Sequence, residues 1–597
     1  MCGISLLIDS HDPRVDEMAL RRMNALIAHR GPDGDGFFVD DYIGMGHRML
    51  RITDHSDLGR QPMHGFGSVL VFNGEIYNFR SLRAVLIKHG YQFQSDADTE
   101  VVLAAYDYWG IECVEHFNGM WAFALYDKQR RRVFCSRDRF GIKPLFYSRR
   151  GKHFIVGSEI KQLLAFDSFS PSINEKIAFN FLYHGRIDQT SESFFEDVHF
   201  LPAGHHLLYD LLQHKYSVRQ WYQPAPEPQV QMSFPEAASI FRERFTDSIL
   251  EHGRTRDPLG ACLSGGLDST SIVGMLSATG TPVDTFSTCY TQHASNEIDY
   301  INEAAAFYDV NNYKHYPAVQ DMLGSGLLQK MVYHQDQPVL SGSFFSEYKV
   351  FELAAARDIR IMMSGQGADE YLGGYNEFMM LRLNLLLRKK NLPGLLRAIA
   401  DASRKQNQPF AQALRSFILF GTGLPYLRKR VEERGRNFAN AVFHPGWIAQ
   451  QKDKNQNETR LNDYDSLRQL SEAALTRYSL PHQLHAEDRH SMMHSIESRL
   501  PFLDHRLVEF TTSLPDQFII RKGATKAVLR SALKDILPPG IHNRHSKLGF
   551  PGPEEPLLAH HGEEVRKAFQ HYIHELPRIF SPALLQLFRR YKLGEIP

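Results

Sequence analysis

The sequence predicts a multi-domain α/β chain: a β-rich layered sandwich, then an α/β unit on a parallel sheet with a helical insertion. Three observations predict it. Short apolar strands cluster before Ser158 with few helices among them. A polar run bearing Pro224, Pro226 and Pro228 then separates two styles of patterning, as a semi-rigid linker does. Beyond it, strands and helices alternate one by one. At 597 residues the chain also exceeds what one core supports.

In order, residues 4–8 form an apolar strand directly after Cys2-Gly3. Residues 20–28 have helical spacing, and His29-Arg30-Gly31-Pro32-Asp33-Gly34 is a glycine-rich loop. The strand 69–72 ends at Asn73-Gly74-Glu75. Residues 81–89 and 99–109 read as helices, and 122–126, 133–136, 145–148 and 154–158 as strands joined by turns. Past the prolines, helix 235–250 precedes strand 259–263, a glycine loop and helix 269–278. Strand 284–289, helix 298–308, helix 346–357 and strand 359–363 continue the alternation, which demands a parallel sheet. From 376 to about 479 the sequence is helical, rich in leucine and arginine, and carries no motif. The expected domains are 2–217, a linker at 218–234, and 235–597.

Composition narrows the partners. Lys+Arg and Asp+Glu both number 68, so no net charge points to nucleic acid or an anionic membrane. The basic clusters Arg388-Lys389-Lys390 and Arg428-Lys429-Arg430 fit solvated helix faces. Five scattered cysteines have no zinc spacing, and no HExxH string occurs. No apolar run reaches membrane-spanning length, so the cytoplasm is the expected compartment. A homodimer stays open as an assembly.

Two residue sets carry chemistry. Ser264-Gly265-Gly266-Leu267-Asp268-Ser269 joins a strand to a helix, where glycines let backbone approach a phosphate and the helix N-terminus offers free N–H groups. No lysine follows, so the loop is not a Walker motif. Ser364-Gly365-Gln366-Gly367-Ala368-Asp369-Glu370 follows another strand, so both loops open on one sheet edge. Asp268 and Asp369 beside phosphate oxygens imply Mg²⁺. At the other end of the chain, removal of Met1 would expose the α-amino group of Cys2, a base next to its own thiol.

The first loop resembles that of N-type ATP pyrophosphatases. Nearly the whole chain resembles glutamine-dependent asparagine synthetases. The matches are Cys2-Gly3-Ile4, the His29–Gly34 loop, Asn73-Gly74-Glu75-Ile76-Tyr77-Asn78, Asp98, Arg137 to Leu145, the two phosphate-side loops, and Glu497-Ser498-Arg499-Leu500-Pro501-Phe502-Leu503-Asp504. The resemblance implies an Ntn-hydrolase αββα glutaminase joined to an ATP-pyrophosphatase-like synthetase. It implies Cys2 as nucleophile, Asn73 and Gly74 as oxyanion donors, and Asn73, Gly74, Glu75 and Asp98 as glutamine ligands. For ATP it implies Leu263, Ser264, Gly265, Gly266, Asp268, Ser269, Thr288, Ser364 and Gly365, with Lys526 as catalytic lysine. Ammonia would pass inside the protein to a carboxylate, aspartate by default, activated as its adenylate.

Two positions depart from the family pattern. Gly46-His47-Arg48-Met49-Leu50-Arg51-Ile52 has methionine where the family places a glutamine-binding arginine. Residues 49 and 51 share a face if the strand continues, so Arg51 is expected to supply the charge. Gln366 stands where well-studied relatives carry glutamate, a potential base, so either Glu370 or another group takes over or the acceptor differs from aspartate. A sibling enzyme amidating a peptide or natural-product carboxylate is the second reading. An inactive scaffold or regulator is the third.

Overall fold

The computed structural model describes residues 2–12, 14–52, 57–166, 171–224, 231–290, 297–318, 321, 326–339, 341–422, 438–452, 461–545 and 561–595. Pro226, Pro228 and Arg428-Lys429-Arg430 lie outside the described residues.

Four layers make up the first half. One antiparallel sheet runs in the order Val198–Phe200, Phe146–Arg150, His153–Gly157, Cys2–Asp9, Ile43–Met49, Gly34–Asp40. The other runs Lys215–Gln220, His205–Asp210, Arg132–Arg137, Gly119–Asp127, Ser68–Ile76, Met63–Gly65. Ile4, Leu6 and Val156 of the first meet Val71, Ala124 and Val133 of the second in a shared core. Helices Phe79–Lys88 and Asp98–Trp109 cover the outer face of the second sheet through Leu82, Val101 and Leu86. Helix Glu17–Ala25 and the short helix Ile160–Leu164 cover the first through Leu20, Met23 and Leu163. Both faces of each sheet are thus apolar, which explains strands that read as continuous apolar runs instead of alternating ones. This is the αββα sandwich that the resemblance implies.

Three local expectations change. The first helix begins at Glu17 and ends at Ala25, because Asp16 caps it by accepting from the Ala19 N–H at 2.9 Å. His29 and Arg30 then belong to a 3₁₀ turn, Ala28–Arg30, instead of a loop. The strand through Met49 stops there; Leu50, Arg51 and Ile52 leave the ladder, and the Arg51 N–H donates to Asp33 Oδ2 at 2.9 Å. The strand-face argument for Arg51 therefore does not apply.

In the second half, five parallel strands run in the order Asn312–His315, Asp284–Thr288, Leu259–Cys262, Ile361–Met363, Glu497–Arg499. Chain order reverses between Leu259–Cys262 and Ile361–Met363, and ligands of open α/β sheets bind at such a switch point. Helix Phe234–His252 leads into this unit behind a capping box of Ser233 and Glu236. The insertion comprises helices including Asn376–Arg388, Leu392–Lys405 and Leu467–Ala473. Its Leu381, Leu395, Ile399 and Leu470 join the same core as Phe518 and Leu529, so these residues serve packing. Lys389 and Lys390 are exposed, as a solvated face requires.

The two halves lock through buried ions. Arg30, fully buried, gives its Nη1 to Glu159 at 3.0 Å and to Asp488 at 2.8 Å, and its Nε to the Cys2 carbonyl at 3.1 Å. Arg489 reaches the same Glu159 at 3.1 Å.

Candidate active sites

Cys2 sits at the start of the central strand of its sheet and is buried. Its backbone N–H donates to Asn73 Oδ1 at 3.0 Å across the two sheets. That fixes the Asn73 amide, whose Nδ2 is sealed from solvent without a hydrogen-bond partner. A buried donor left over beside a nucleophile is what an oxyanion needs. Gly74 follows on the strand; a Cβ there would lie 2.1 Å from the Met120 carbonyl oxygen, so no larger residue fits.

One pocket is lined by Cys2, Arg51, Gly74, Glu75 and Asp98, which brings together the residues expected to hold glutamine except Asn73, which bonds the Cys2 N–H from behind. Met49 and Arg51 both line it even though the strand has ended, so Arg51 reaches the site by a route other than the expected pleat. Asp98 opens helix Asp98–Trp109 and accepts from the Ile76 N–H at 2.9 Å. Burial, then the Glu75 charge, pushes its carboxyl well above the usual range. Burial likewise raises the Cys2 thiol, opposed by the chain's terminal ammonium, a Leu50 hydrogen bond and Arg30.

Sequence reasoning missed one wall of this pocket. Glu497, from the edge strand of the second half, lines it beside Cys2. Burial pushes its carboxyl up, but the surrounding cations, Arg499 and Lys143 among them, outweigh that and hold it below the usual carboxylate range. Its place in the Glu497–Asp504 string was the available signal.

At the switch point, Gly265 takes a left-handed φ of +71°, and a Cβ on Gly365 would stand 3.0 Å from Asp268 Cβ. The two glycine loops therefore touch. Ser264 Oγ and Ser269 Oγ lie 3.0 Å apart and brace the first loop. Ser364 follows Ile361–Met363, and its N–H donates to the Arg499 carbonyl at 3.1 Å. Leu263 extends the Leu259–Cys262 ladder by donating to the Phe286 carbonyl at 2.9 Å. Thr288 ends the neighbouring strand, and its hydroxyl donates to the Ser346 carbonyl at 2.9 Å.

Lys526 Nζ lies 2.6 Å from Asp268 Oδ1 and 2.6 Å from Asp369 Oδ1. Burial pulls its ammonium down, but the two carboxylates outweigh that and raise it. Lys526 holds φ at +53°, a left-handed conformation that costs a non-glycine residue roughly 1–2 kcal/mol. A Cβ on Gly374 would fall 1.6 Å from Asp369 Oδ1, so glycine there makes room for the pair. Two carboxylates on one ammonium are also close enough to share a hard, oxygen-seeking cation. Glu370 turns away: its Oε1 accepts from Tyr375 and Ser479, both at 2.7 Å.

Among the described residues, His29, Glu159 and His334 bring three potential metal ligands within 4.8 Å. Glu159 is already met by Arg30, Lys161 and Arg489, a cationic surrounding that opposes a metal ion.

Comparison with known proteins agrees with this layout. A glutamine amidotransferase domain model matches residues 1–222 and an asparagine synthase model matches 240–594. The glutamine-hydrolysing asparagine synthetase 1 of Bacillus subtilis is 28% identical, over 96% of this chain and 92% of its own length. Synthetase 3 of the same organism is 27% identical, over 93% and 88%. Amidase chry2 of Gibberella zeae is 27% identical, over 95% and 92%. Among solved structures, glutamine phosphoribosylpyrophosphate amidotransferase from B. subtilis aligns at a TM-score of 0.29 and 11% identity, over 61% of this chain and 81% of that one. No described helix is long and apolar enough to cross a membrane. The chain belongs to the asparagine synthase family and is an ATP-dependent carbon–nitrogen ligase with glutamine as amido donor.

Proposed function

We propose that the domain at 2–217 hydrolyses glutamine at Cys2, and that the domain at 235–597, joined by the linker 218–234, uses the nitrogen to amidate a carboxylate. With Met1 removed, the Cys2 amine takes the thiol proton and the sulfur attacks the side-chain amide of glutamine. Asn73 Nδ2 and the Gly74 N–H hold the oxyanion; Arg51 meets the substrate carboxylate, and Glu75 and Asp98 its ammonium.

At the second site the loop Leu263–Ser269, with Thr288, Ser364 and Gly365, binds ATP. Asp268 and Asp369 would hold Mg²⁺ through oxygen, and the bound ion would neutralise phosphate charge. Lys526 leaves the aspartates for the phosphates as the acyl adenylate and pyrophosphate form. Ammonia then displaces AMP and leaves the amide, with aspartate the default acceptor.

One observation carries this reading. Glu497 closes the Cys2 pocket from a strand that pairs with Ile361–Met363, the strand leading into Ser364 and Gly365, which supports two sites built on one sheet. Pyrophosphate release from ATP and glutamine across a panel of carboxylates tests it. Aspartate as best acceptor is the expected result, and silence with every carboxylate would sink the reading.

Gln366 favours a second acceptor. Its amide hydrogen-bonds but takes no proton at neutral pH, so a sibling reaction on a peptide or natural-product carboxylate predicts turnover with those acceptors and none with aspartate.

A further inference from the structure

Helix Leu480–Met492 runs along the interface of the two halves, and successive side chains leave it in different directions. Asp488 and Arg489 meet Arg30 and Glu159 of the glutaminase half. Glu487 turns to the parallel sheet instead, with 2% of its surface exposed. Its Oε1 accepts from the Ser498 hydroxyl, and the Ser364 hydroxyl is near enough to act on this carboxylate. Ser498 follows Glu497 of the Cys2 pocket, and Ser364 opens the loop that carries Gly365, Gln366 and Asp369. Lys143 acts on both Glu497 and Glu487, which places the two carboxylates within range of one ammonium. Glu487 is thus one residue removed from each site.

The neighbourhood of Glu487 is costly, because a buried carboxylate faces another. Glu347 of helix Ser343–Ala355 faces it, held by His490 Nδ1 at 2.8 Å. The second oxygen of Glu487, Oε2, is sealed from solvent without a hydrogen-bond partner. Native interiors rarely leave a carboxylate oxygen in that state, and an N–H donor passing through would satisfy it.

We propose that Glu487 receives the nitrogen between the two sites and takes the proton that amide formation releases. This rests on the adenylation reading above. The lone pair of ammonia forms the C–N bond to the adenylated carbonyl carbon while the C=O pair shifts to oxygen. Nitrogen, now cationic, passes one proton to the Glu487 carboxylate. The carbonyl reforms as the C–O bond to AMP breaks and AMP leaves with its electron pair. Gln366, a neutral amide, has no such capacity.

Titration of the site agrees with the assignment. Burial, then the Glu347 charge, pushes Glu487 up to about 8, against the Ser498 and Ser364 hydroxyls and the Lys143 charge. A general base works best with a pKa near the operating pH. The other titratable groups around it are Cys262, pushed well up by burial, Lys143, pulled by burial down to about 8, and His490 behind Glu347. The base form of Glu487 grows as pH rises through about 8, so amide formed per glutamate released should rise through the same window.

The experiment measures glutamate, pyrophosphate and amide with the full-length protein and the best acceptor. Glu487→Gln should release glutamate at near wild-type rate and pyrophosphate in a first-turnover burst of about one per site, after which the uncleared adenylate slows it, while amide per glutamate falls about 100-fold, the lower end of what a general base contributes. Its coupling should no longer change with pH. A limb that persists in the variant would assign the titration to Lys143 and overturn the proposal. So would unchanged coupling, or equal loss of all three products with intact circular dichroism. Should Glu487→Gln fail to fold, Glu487→Asp keeps the charge but withdraws it, and the same loss of coupling is expected. A wild type that releases no pyrophosphate with any carboxylate overturns the adenylation reading and this inference with it.

Discussion

In the Cys2 pocket three carboxylates, Glu75, Asp98 and Glu497, gather beside the Cys2 thiol, and the amide donor of Asn73 has no partner. At the phosphate loop one ammonium, Lys526, is shared between two carboxylates. The first site is preorganised for an incoming cation and an oxyanion, so binding completes it. The second satisfies itself, so ligands must break an ion triad before they use its members. Buried ion pairs gain little net stability over their desolvation cost, which makes such a triad exchangeable for phosphate and a metal ion. The difference predicts a pocket that binds glutamine with little rearrangement and a synthetase site that requires both ATP and a divalent cation.

The largest effect should separate the two sites outright. Cys2→Ala is expected to abolish glutamine-dependent amide formation and to leave ammonia-supported synthesis intact, as read from amide yield with each donor. Loss of both would mean that the halves are not independent. Lys526→Ala should eliminate amide formation with either donor while glutamate release continues. It also frees Asp268 and Asp369, so Mg²⁺ should raise the melting temperature of this variant more than that of wild type, by about 1 °C per kcal/mol of added binding in a domain of this length. An equal Mg²⁺ response in both proteins would argue against the aspartates as its ligands.

Asn73→Ala tests preorganisation in the first site alone. Removing one oxyanion donor costs about 100- to 1000-fold in kcat. Glutaminase turnover should fall by that much with the glutamine KM little changed, because the donor acts on charge that develops only in the transition state. Arg51→Ala should do the reverse. It is expected to raise the glutamine KM about tenfold, or about 1.4 kcal/mol of binding, and to spare ammonia-driven synthesis. An unchanged KM would return the carboxylate-binding role to another residue.

How far the sequence foretold each region follows from the range of the interactions. Helix Ile298–Tyr308 was legible because its apolar spacing is local, and the loop Ser264–Ser269 because its glycines sit between a strand and a helix. The strands Asn312–His315 and Glu497–Arg499 were not, since each is short and polar and is a strand only by pairing at the edges of a parallel sheet. That Gly74, Glu75 and Asp98 share a pocket with Cys2 was legible from their motif, yet Arg51 was expected to reach that pocket along a strand that ends two residues earlier. Glu497 reaches the Cys2 pocket from the far end of the chain. Periodicity carries no trace of such contacts, and Arg30 with Asp488 makes the same point across 458 positions.

The smallest predicted effect is a proton, and it tests the electrostatic contrast directly. Asp98 in the free pocket is raised by burial and by Glu75, so its carboxyl keeps a proton at pH values where an exposed one has lost it. The α-ammonium of glutamine favours the ionised form of the same carboxyl. Binding should therefore expel a proton, up to about one per site, and the release should fade as pH climbs past the raised pKa, where the carboxyl is already ionised. Titration calorimetry of glutamine into Cys2→Ala protein, in two buffers of different ionisation enthalpy, measures that proton as a difference in binding heat. Adding Asp98→Asn should remove the difference. Proton uptake, or a difference that survives the substitution, would show that the ammonium does not rest against Asp98, and the contrast between an open acidic pocket and a closed ion triad would lose its first half.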